Sequence, residues 1–293
     1  MTFQQFFRVV EIRTKIVSVS SFLLALIWIL RQQGQANPLL ALLFFAAMLM
    51  VDMGTTGFNT FYDYMNGTDD KKFNREADKV LVYQGVSPGA SLLISLGLFL
   101  GAAIVGGILA FLTSWDVVLW GAISMAIGFL YNGGPLPLSR TPLGEFFAGG
   151  FLGTVMMMIL GIVLLGRMDP RLFWATVPSA LMIASILTVN NTCDRLGDKE
   201  AGRLTLTILI GPTASKVLIL LFWLGSQAYV GYQVFESPSV WAVGWGLSLI
   251  PQVLELVTLY RRGFSHETKG PNMGSISKIF MFYTLGYAFL IGL

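Results

Sequence analysis

Leu92-Leu93-Ile94-Ser95-Leu96-Gly97-Leu98-Phe99-Leu100-Gly101-Ala102-Ala103-Ile104-Val105-Gly106-Gly107-Ile108-Leu109-Ala110-Phe111-Leu112 carries no charge along its whole length. A helix needs roughly 20 apolar residues to cross the hydrocarbon of a bilayer, and this run supplies them. It has neither a polar face nor the period-2 alternation of a barrel strand, and Leu39–Met50 reads the same way. Lipid offers no partner for an open backbone, so segments of this kind span as helices. The fold class is therefore all-α, a polytopic membrane protein.

Similar runs recur on both sides. The sequence predicts spans near 16–30, 38–62, 90–112, 116–131, 145–166, 171–191, 213–235, 239–260 and 273–292, nine helices in all. Composition agrees: 55% of the 293 residues are hydrophobic and 12% charged, against roughly 25% charged in soluble domains. No low-complexity tract or linker divides the chain, so residues 1–293 read as one membrane domain. Arg8, Arg13 and Lys15 precede the first apolar segment, but no convincing small-residue cleavage site follows, and it reads as a retained span.

With an internal N-terminus, this topology puts Arg8, Arg13, Lys15, Lys71, Lys72, Arg75, Lys79, Arg140, Arg195, Lys199, Arg203, Lys216, Arg261, Arg262, Lys269 and Lys278 on the cytoplasmic side. Only Arg31, Arg167 and Arg171 fall outside. Such a bias sets orientation, and a missed span would scramble it. The expectation is a multi-pass protein of a bacterial plasma membrane, N-terminus in the cytoplasm and C-terminus outside. Two long polar connections, Asp63–Gly89 and Thr192–Pro212, then face the cytoplasm; connections of that length commonly line sites.

Some chemistry is excluded at once. Cys193 is the only cysteine and His266 the only histidine, so an internal disulfide and a cysteine-rich metal site are ruled out and histidine-based metal chemistry has almost no donors. A net charge of +3, dispersed among apolar segments, does not suit nucleic acid.

The polar residues gather instead into two stripes. Asn59 and Asp63 are four apart, as are Asn190, Asp194 and Asp198, so on helices each set shares one face. Hard carboxylate and amide oxygens suit Mg²⁺, which completes its shell with water and phosphate oxygens. A single Asn-x-x-x-Asp at a membrane boundary is a weak signal; two on the same side, each followed by basic residues, make a candidate diphosphate site. Arg75 and Lys79 are spaced to reach phosphate oxygens together, and so are Lys199 and Arg203. Asp52 lies seven residues before Asn59, an ionisable group within a span that needs a partner or water. Tyr131-Asn132-Gly133-Gly134-Pro135-Leu136-Pro137 must turn, and Arg140 and Glu145 follow it on the same side.

The segment from Asn190 to Leu206 resembles the second signature of the UbiA-type membrane prenyltransferases, in the detail of the 1,4-dihydroxy-2-naphthoate polyprenyltransferase branch. Asn59-x-x-x-Asp63, Gly67-x-Asp69, Lys79-Val80-Leu81-Val82, Gly85-x-Ser87-Pro88, Tyr131-Asn132-Gly133-Gly134-Pro135 and Leu143-Gly144-Glu145 follow the same order and spacing. The resemblance implies nine helices around a central cavity, two Asp-rich motifs binding Mg²⁺ and diphosphate, and a lipid-side opening for the isoprenoid. It also implies alkylation of the naphthoate carbon that bears the carboxylate, with loss of CO₂, to give demethylmenaquinone. Thr56 and Thr60 stand where the fuller first motif often has another Asn and an acid, and Ser139-Arg140 where many relatives have Lys-Tyr.

The expected site then has Asp63, Asp194 and Asp198 as metal ligands, with Asn59, Asn190 and Asp69 assisting. Arg75, Lys79, Lys199 and Arg203 bind diphosphate, Tyr131 and Asn132 lie in the loop over the substrate, and Arg140 and Glu145 meet the aromatic acid. The substrates are a polyprenyl diphosphate and that acid, taken up within a lipid bilayer. A prenyltransferase for 4-hydroxybenzoate shares every diphosphate motif. A cation-coupled transporter is the rival from another class, but it calls for binding groups near the midplane rather than at one surface.

Overall fold

The computed structural model describes residues 1–69, 79–236 and 239–292. After α1 (Phe3–Val9) and a 3₁₀ turn (Ile12–Lys15) come α2 (Ile16–Gln33), α3 (Pro38–Met65), a short α4 (Val80–Tyr83), α5 (Pro88–Leu112) and α6 (Asp116–Asn132). A second 3₁₀ turn (Leu138–Arg140) leads to α7 (Gly144–Gly150), which passes through a π turn (Phe151–Val155) into α8 (Met156–Leu165). The chain ends with α9 (Pro170–Glu200), α10 (Leu206–Glu236), α11 (Ala242–Arg262) and α12 (Lys269–Gly292). Among the described residues no strand forms.

Among the described residues, eight segments are long and apolar enough to cross a membrane, and α6, at 17 residues, is a shorter apolar helix. All nine expected segments are therefore helices. Three of them begin with the same device: Asn37, Ser87 and Asp169 each accept a hydrogen bond from a first-turn backbone N–H, and each is followed by proline. Proline suits the first helical position because its missing N–H would have had no partner there.

The ends of two spans differ from expectation. Thr192–Pro212, expected as a loop, is mostly helix, because α9 runs on to Glu200 and α10 begins at Leu206. Hydropathy marks where hydrocarbon stops, whereas the i→i−4 ladder continues as long as the backbone allows. The ladder of α10 does break at Gly211, whose φ of 80° precedes Pro212, close to the predicted start at 213.

Packing relies on small residues, as expected where lipid tails remove most of the hydrophobic drive between helices. A Cβ on Gly153 would stand 2.6 Å from the Ala180 nitrogen, so only glycine lets the π turn lie against α9. One apolar core joins α2, α3 and α8 through Phe22, Phe44, Met48, Met157 and Leu160. A second joins α9 to α10–α12 through Met182, Ile219, Trp223, Phe280 and Tyr283. α12 packs on both α2 and α9, which closes the bundle. Leu93, Leu100, Ile104 and Phe111 on α5 remain exposed, as a lipid-facing helix requires.

Candidate active site

Both acidic stripes arrive at one end of the bundle. Asp63 sits in the last turn of α3, one turn after the half-buried Asn59. Asn190, Asp194 and Asp198 occupy successive turns of α9. Arg203, in the short connection to α10, links the two: its Nη1 lies 2.9 Å from Asp198 Oδ1, and it also feels the charge of Asp63. Burial works against the guanidinium charge, but Asp198 and Asp63 outweigh it and hold Arg203 above its ordinary pKa. Its Nη2 donates to the Ser139 carbonyl at 3.3 Å, tying the α9–α10 connection to the turn after α6.

That turn is held from a second point. Arg140 Nη2 donates to the Ala201 carbonyl at 2.7 Å, and the Leu204 N–H donates to the Arg140 carbonyl at 2.9 Å. Tyr131 and Asn132 end α6 at the same place. The Tyr131 hydroxyl donates to the Gly144 carbonyl at 3.4 Å, while Asn132 Nδ2 donates to the Thr55 carbonyl at 3.0 Å. Glu145, 1% exposed in the first turn of α7, accepts from Asn191 Nδ2 at 2.9 Å.

The other predicted residues are placed as follows. Asp194 carries Lys269, the first residue of α12, at 2.7 Å and His266, from the α11–α12 connection, at 3.3 Å. Asn190 Nδ2 reaches Asn191 Oδ1 at 3.5 Å. Asp69 is buried with Lys79 Nζ at 3.2 Å, and Lys79 also approaches Glu11 at 4.0 Å. Lys199 is exposed; it directly follows the buried Asp198 and is turned off its face by about 100°. Arg75 lies outside the described residues. Lys269, His266, Asn191 and Ser139 join the site without having been predicted.

Asp52 is not part of it. Lys15 Nζ lies 2.7 Å from Asp52 Oδ1 and 3.1 Å from Thr56 Oγ1, and Ser18 donates to Asp52 Oδ2. A cation and a hydroxyl therefore close this carboxylate inside the bundle. Glu255 on α11 lies 2.7 Å from Lys278.

Among the described residues, no three acidic, histidine or cysteine side chains gather tightly enough to share one metal ion. Mg²⁺ does not require that. It is commonly bound by one or two carboxylates, with water and substrate phosphate completing the octahedron. The donors here are hard oxygens, and Asp198 lies within electrostatic reach of both Asp194 and Asp63. Its Oδ2 is buried without a partner, so the residues fit a hard divalent ion bound together with an anion.

The same shortage of partners recurs around it. Among the described residues, eight buried side-chain polar atoms lack a hydrogen-bond partner, and Asp198 Oδ2, Arg203 Nε, Glu145 Oε2 and Asn132 Oδ1 are four of them. Each such atom costs about 1–3 kcal/mol in a folded protein. Their concentration at one end of the bundle marks a place built to meet polar ligand atoms.

Known proteins share this family pattern and this fold. The sequence pattern of the UbiA prenyltransferase family matches residues 18–284. The 1,4-dihydroxy-2-naphthoate octaprenyltransferase of Bacillus subtilis is 30% identical over 237 residues, covering 79% of this chain and 74% of that protein. UbiA prenyltransferase domain-containing protein 1 of Mus musculus is 33% identical over 235 residues, covering 79% and 68%. A UbiA homolog from Archaeoglobus fulgidus, solved with GPP and Mg²⁺, superimposes with a TM-score of 0.68 at 14% identity, covering 98% of this chain and 99% of that one. The apo UbiA homolog from Aeropyrum pernix K1 gives 0.67 at 17% identity, covering 90% and 96%.

Proposed function

Because this chain belongs to the UbiA prenyltransferase family, we propose that it transfers a polyprenyl group from polyprenyl diphosphate to 1,4-dihydroxy-2-naphthoate, releasing diphosphate and CO₂ to give demethylmenaquinone in its reduced, quinol form. The observation that carries this reading is the group of partnerless buried atoms around Asp198 and Arg203, where two acidic stripes and a buried guanidinium converge. The Bacillus subtilis relative supports the acceptor, and the solved relative with GPP and Mg²⁺ supports the donor and the ion.

Asp63, Asp194 and Asp198, assisted by Asn59, Asn190 and Asp69, are the residues that would hold Mg²⁺. The ion, when bound, supplies Lewis-acid neutralisation of the diphosphate. Arg203 and Lys79 face the negative charge that grows as the C1–O bond breaks, and fixed cations stabilise that state more than the ground state; Arg75, outside the described residues, would add its charge. Lys199 belongs at the rim. Tyr131, Asn132 and Arg140 form the roof and keep water from the allylic cation, since the ties of Arg140 and Arg203 across the α9–α10 connection close it. Arg140 and Glu145 lie at the acceptor end. By the charge bias, this end faces the cytoplasm of a bacterial plasma membrane.

The test is incubation of the lipid-reconstituted protein with Mg²⁺, a polyprenyl diphosphate and either 1,4-dihydroxy-2-naphthoate or 4-hydroxybenzoate, following product mass and CO₂. A prenylated naphthoquinol with CO₂, detected as the quinone after air oxidation and abolished by EDTA, is the expected result. Product from 4-hydroxybenzoate alone would overturn the acceptor while keeping the reaction class. Cation-coupled transport finds no support at the midplane, where Lys15 closes Asp52.

A further inference from the structure

Glu145 is buried, yet among the described residues the one side chain that hydrogen-bonds its carboxylate is the neutral amide of Asn191, at Oε1. Oε2 has no partner. Arg203, a cation whose charge reaches Glu145, is bonded to Asp198 and to the Ser139 carbonyl. Tyr131, Arg203 and Asp198 all lie within electrostatic reach of Glu145, which puts it at the wall between the diphosphate groups and the end of α6. Asp52 shows what a carboxylate buried for structure looks like in this chain: a cation on one oxygen and a hydroxyl on the other. Glu145 has neither, and an oriented carboxylate with one free oxygen is arranged to accept a proton from something that enters.

We propose that Glu145 is the catalytic proton acceptor for the aromatic substrate, taking on Oε2 the proton of the phenolic hydroxyl next to the carbon being alkylated, with Asn191 as the positioning residue. This rests on the functional reading above. The ring carbon forms its bond to C1 of the prenyl group with an electron pair drawn from the ring, and the C1–O pair leaves with diphosphate. The neighbouring hydroxyl becomes a carbonyl, and its proton passes to Glu145. When the alkylated carbon bears a carboxylate, the product of this step is a β-keto acid. The C–CO₂ bond then breaks, its electron pair restores the aromatic ring, and the carbonyl oxygen takes the proton back from Glu145. Glu145 thus ends the cycle as it began, and no other reactant is needed. The same first step serves any acceptor with a hydroxyl beside the reacting carbon.

Two measurements on the reconstituted protein decide this. The first is equilibrium binding of 1-hydroxy-2-naphthoate and of its 1-methoxy ether, which cannot donate. Wild type should prefer the hydroxyl form by about tenfold, the worth of one hydrogen bond to a charged group. In Glu145→Gln, which keeps volume and the Asn191 contact but turns a donor toward the ligand, that preference should vanish or reverse. The second is turnover: Glu145→Gln should lose about 100-fold or more in kcat, while the affinity for polyprenyl diphosphate stays within about twofold. Asn191→Ala should lower kcat with diphosphate affinity unchanged, and Glu145→Asp should recover part of the rate. Equal binding of the two naphthoates by wild type, or a wild-type kcat in Glu145→Gln, overturns the assignment. Absence of product from every aromatic acceptor in wild type would sink the functional reading instead, and the binding arm judges Glu145 in either case.

Discussion

Asp52 and Asp198 are equally buried, at 7% and 5% exposure, yet they are opposite kinds of residue. Lys15, Ser18 and Thr56 gather around Asp52, and both of its oxygens are hydrogen-bonded. Asp198 gives one oxygen to Arg203 and leaves the other without a partner, in a neighbourhood where Glu145, Asn132 and Arg203 are also incompletely paired. Burying a charge in protein is costly, and a chain whose only need is to fold satisfies it completely. Burial therefore does not separate structure from function here. Unspent hydrogen-bonding capacity does.

The comparison breaks most visibly at the acidic stripe. Asp194→Asn and Asp198→Asn should each reduce turnover by about 10²–10³-fold or more, with the protein still inserted and folded, because an amide oxygen can still accept from Lys269 and Arg203. Specific activity and the unfolding midpoint in detergent check the two halves of this statement. Wild-type rates in both variants would remove these residues from the metal site.

At Asp52 the opposite pattern is expected. Lys15→Met leaves a buried carboxylate with no counter-charge, which costs about 3–5 kcal/mol when a partner is removed, while activity per folded molecule stays unchanged. The double variant Lys15→Met/Asp52→Leu should recover most of that loss, since neither charge is then stranded. If Lys15→Met leaves stability intact and removes activity, the N-terminal cluster belongs to the chemistry, and the contrast with Asp198 fails.

The sequence shows the spans well because uncharged runs of this length have one physical solution in lipid, and it shows the two stripes because helical periodicity fixes which residues share a face. It misjudged Thr192–Pro212 because polarity ends a membrane segment without ending a helix. Asn191 escaped notice although it is next to Asn190: one residue along a helix is about a 100° rotation, which turns it toward Glu145 on α7 rather than along the stripe. Lys269 and His266 reach Asp194 from more than seventy positions away, and no spacing rule foretells such a meeting. The partner that Asp52 needs was hidden for the same reason, since Lys15 lies 37 positions back in the chain.

A third carboxylate sharpens the comparison with the smallest effect. Asp169 precedes α9 at its other end from Asp198, accepting the Arg171 N–H at 2.9 Å as the helix cap and the guanidinium at 2.8 Å. The Arg171 hydrogen bond, reinforced by its charge, holds the carboxyl down at about 2. Asp169→Ala should cost about 1 kcal/mol, the usual worth of a cap, whereas Asp169→Asn keeps the cap and loses only the charge. A carboxyl depressed in the folded state contributes stability above its unfolded pKa of about 3.9 and loses that contribution as pH falls toward the folded value. The gap in unfolding midpoint between wild type and Asp169→Asn should therefore be constant near neutrality and close between about pH 4 and pH 2. Turnover at neutral pH should not change in either variant, because Asp169 is fully used within its own turn. A gap that persists unchanged below pH 2 would mean that the ion pair contributes nothing, and a loss of neutral-pH activity would mean that complete pairing is not a reliable sign of a purely structural acid.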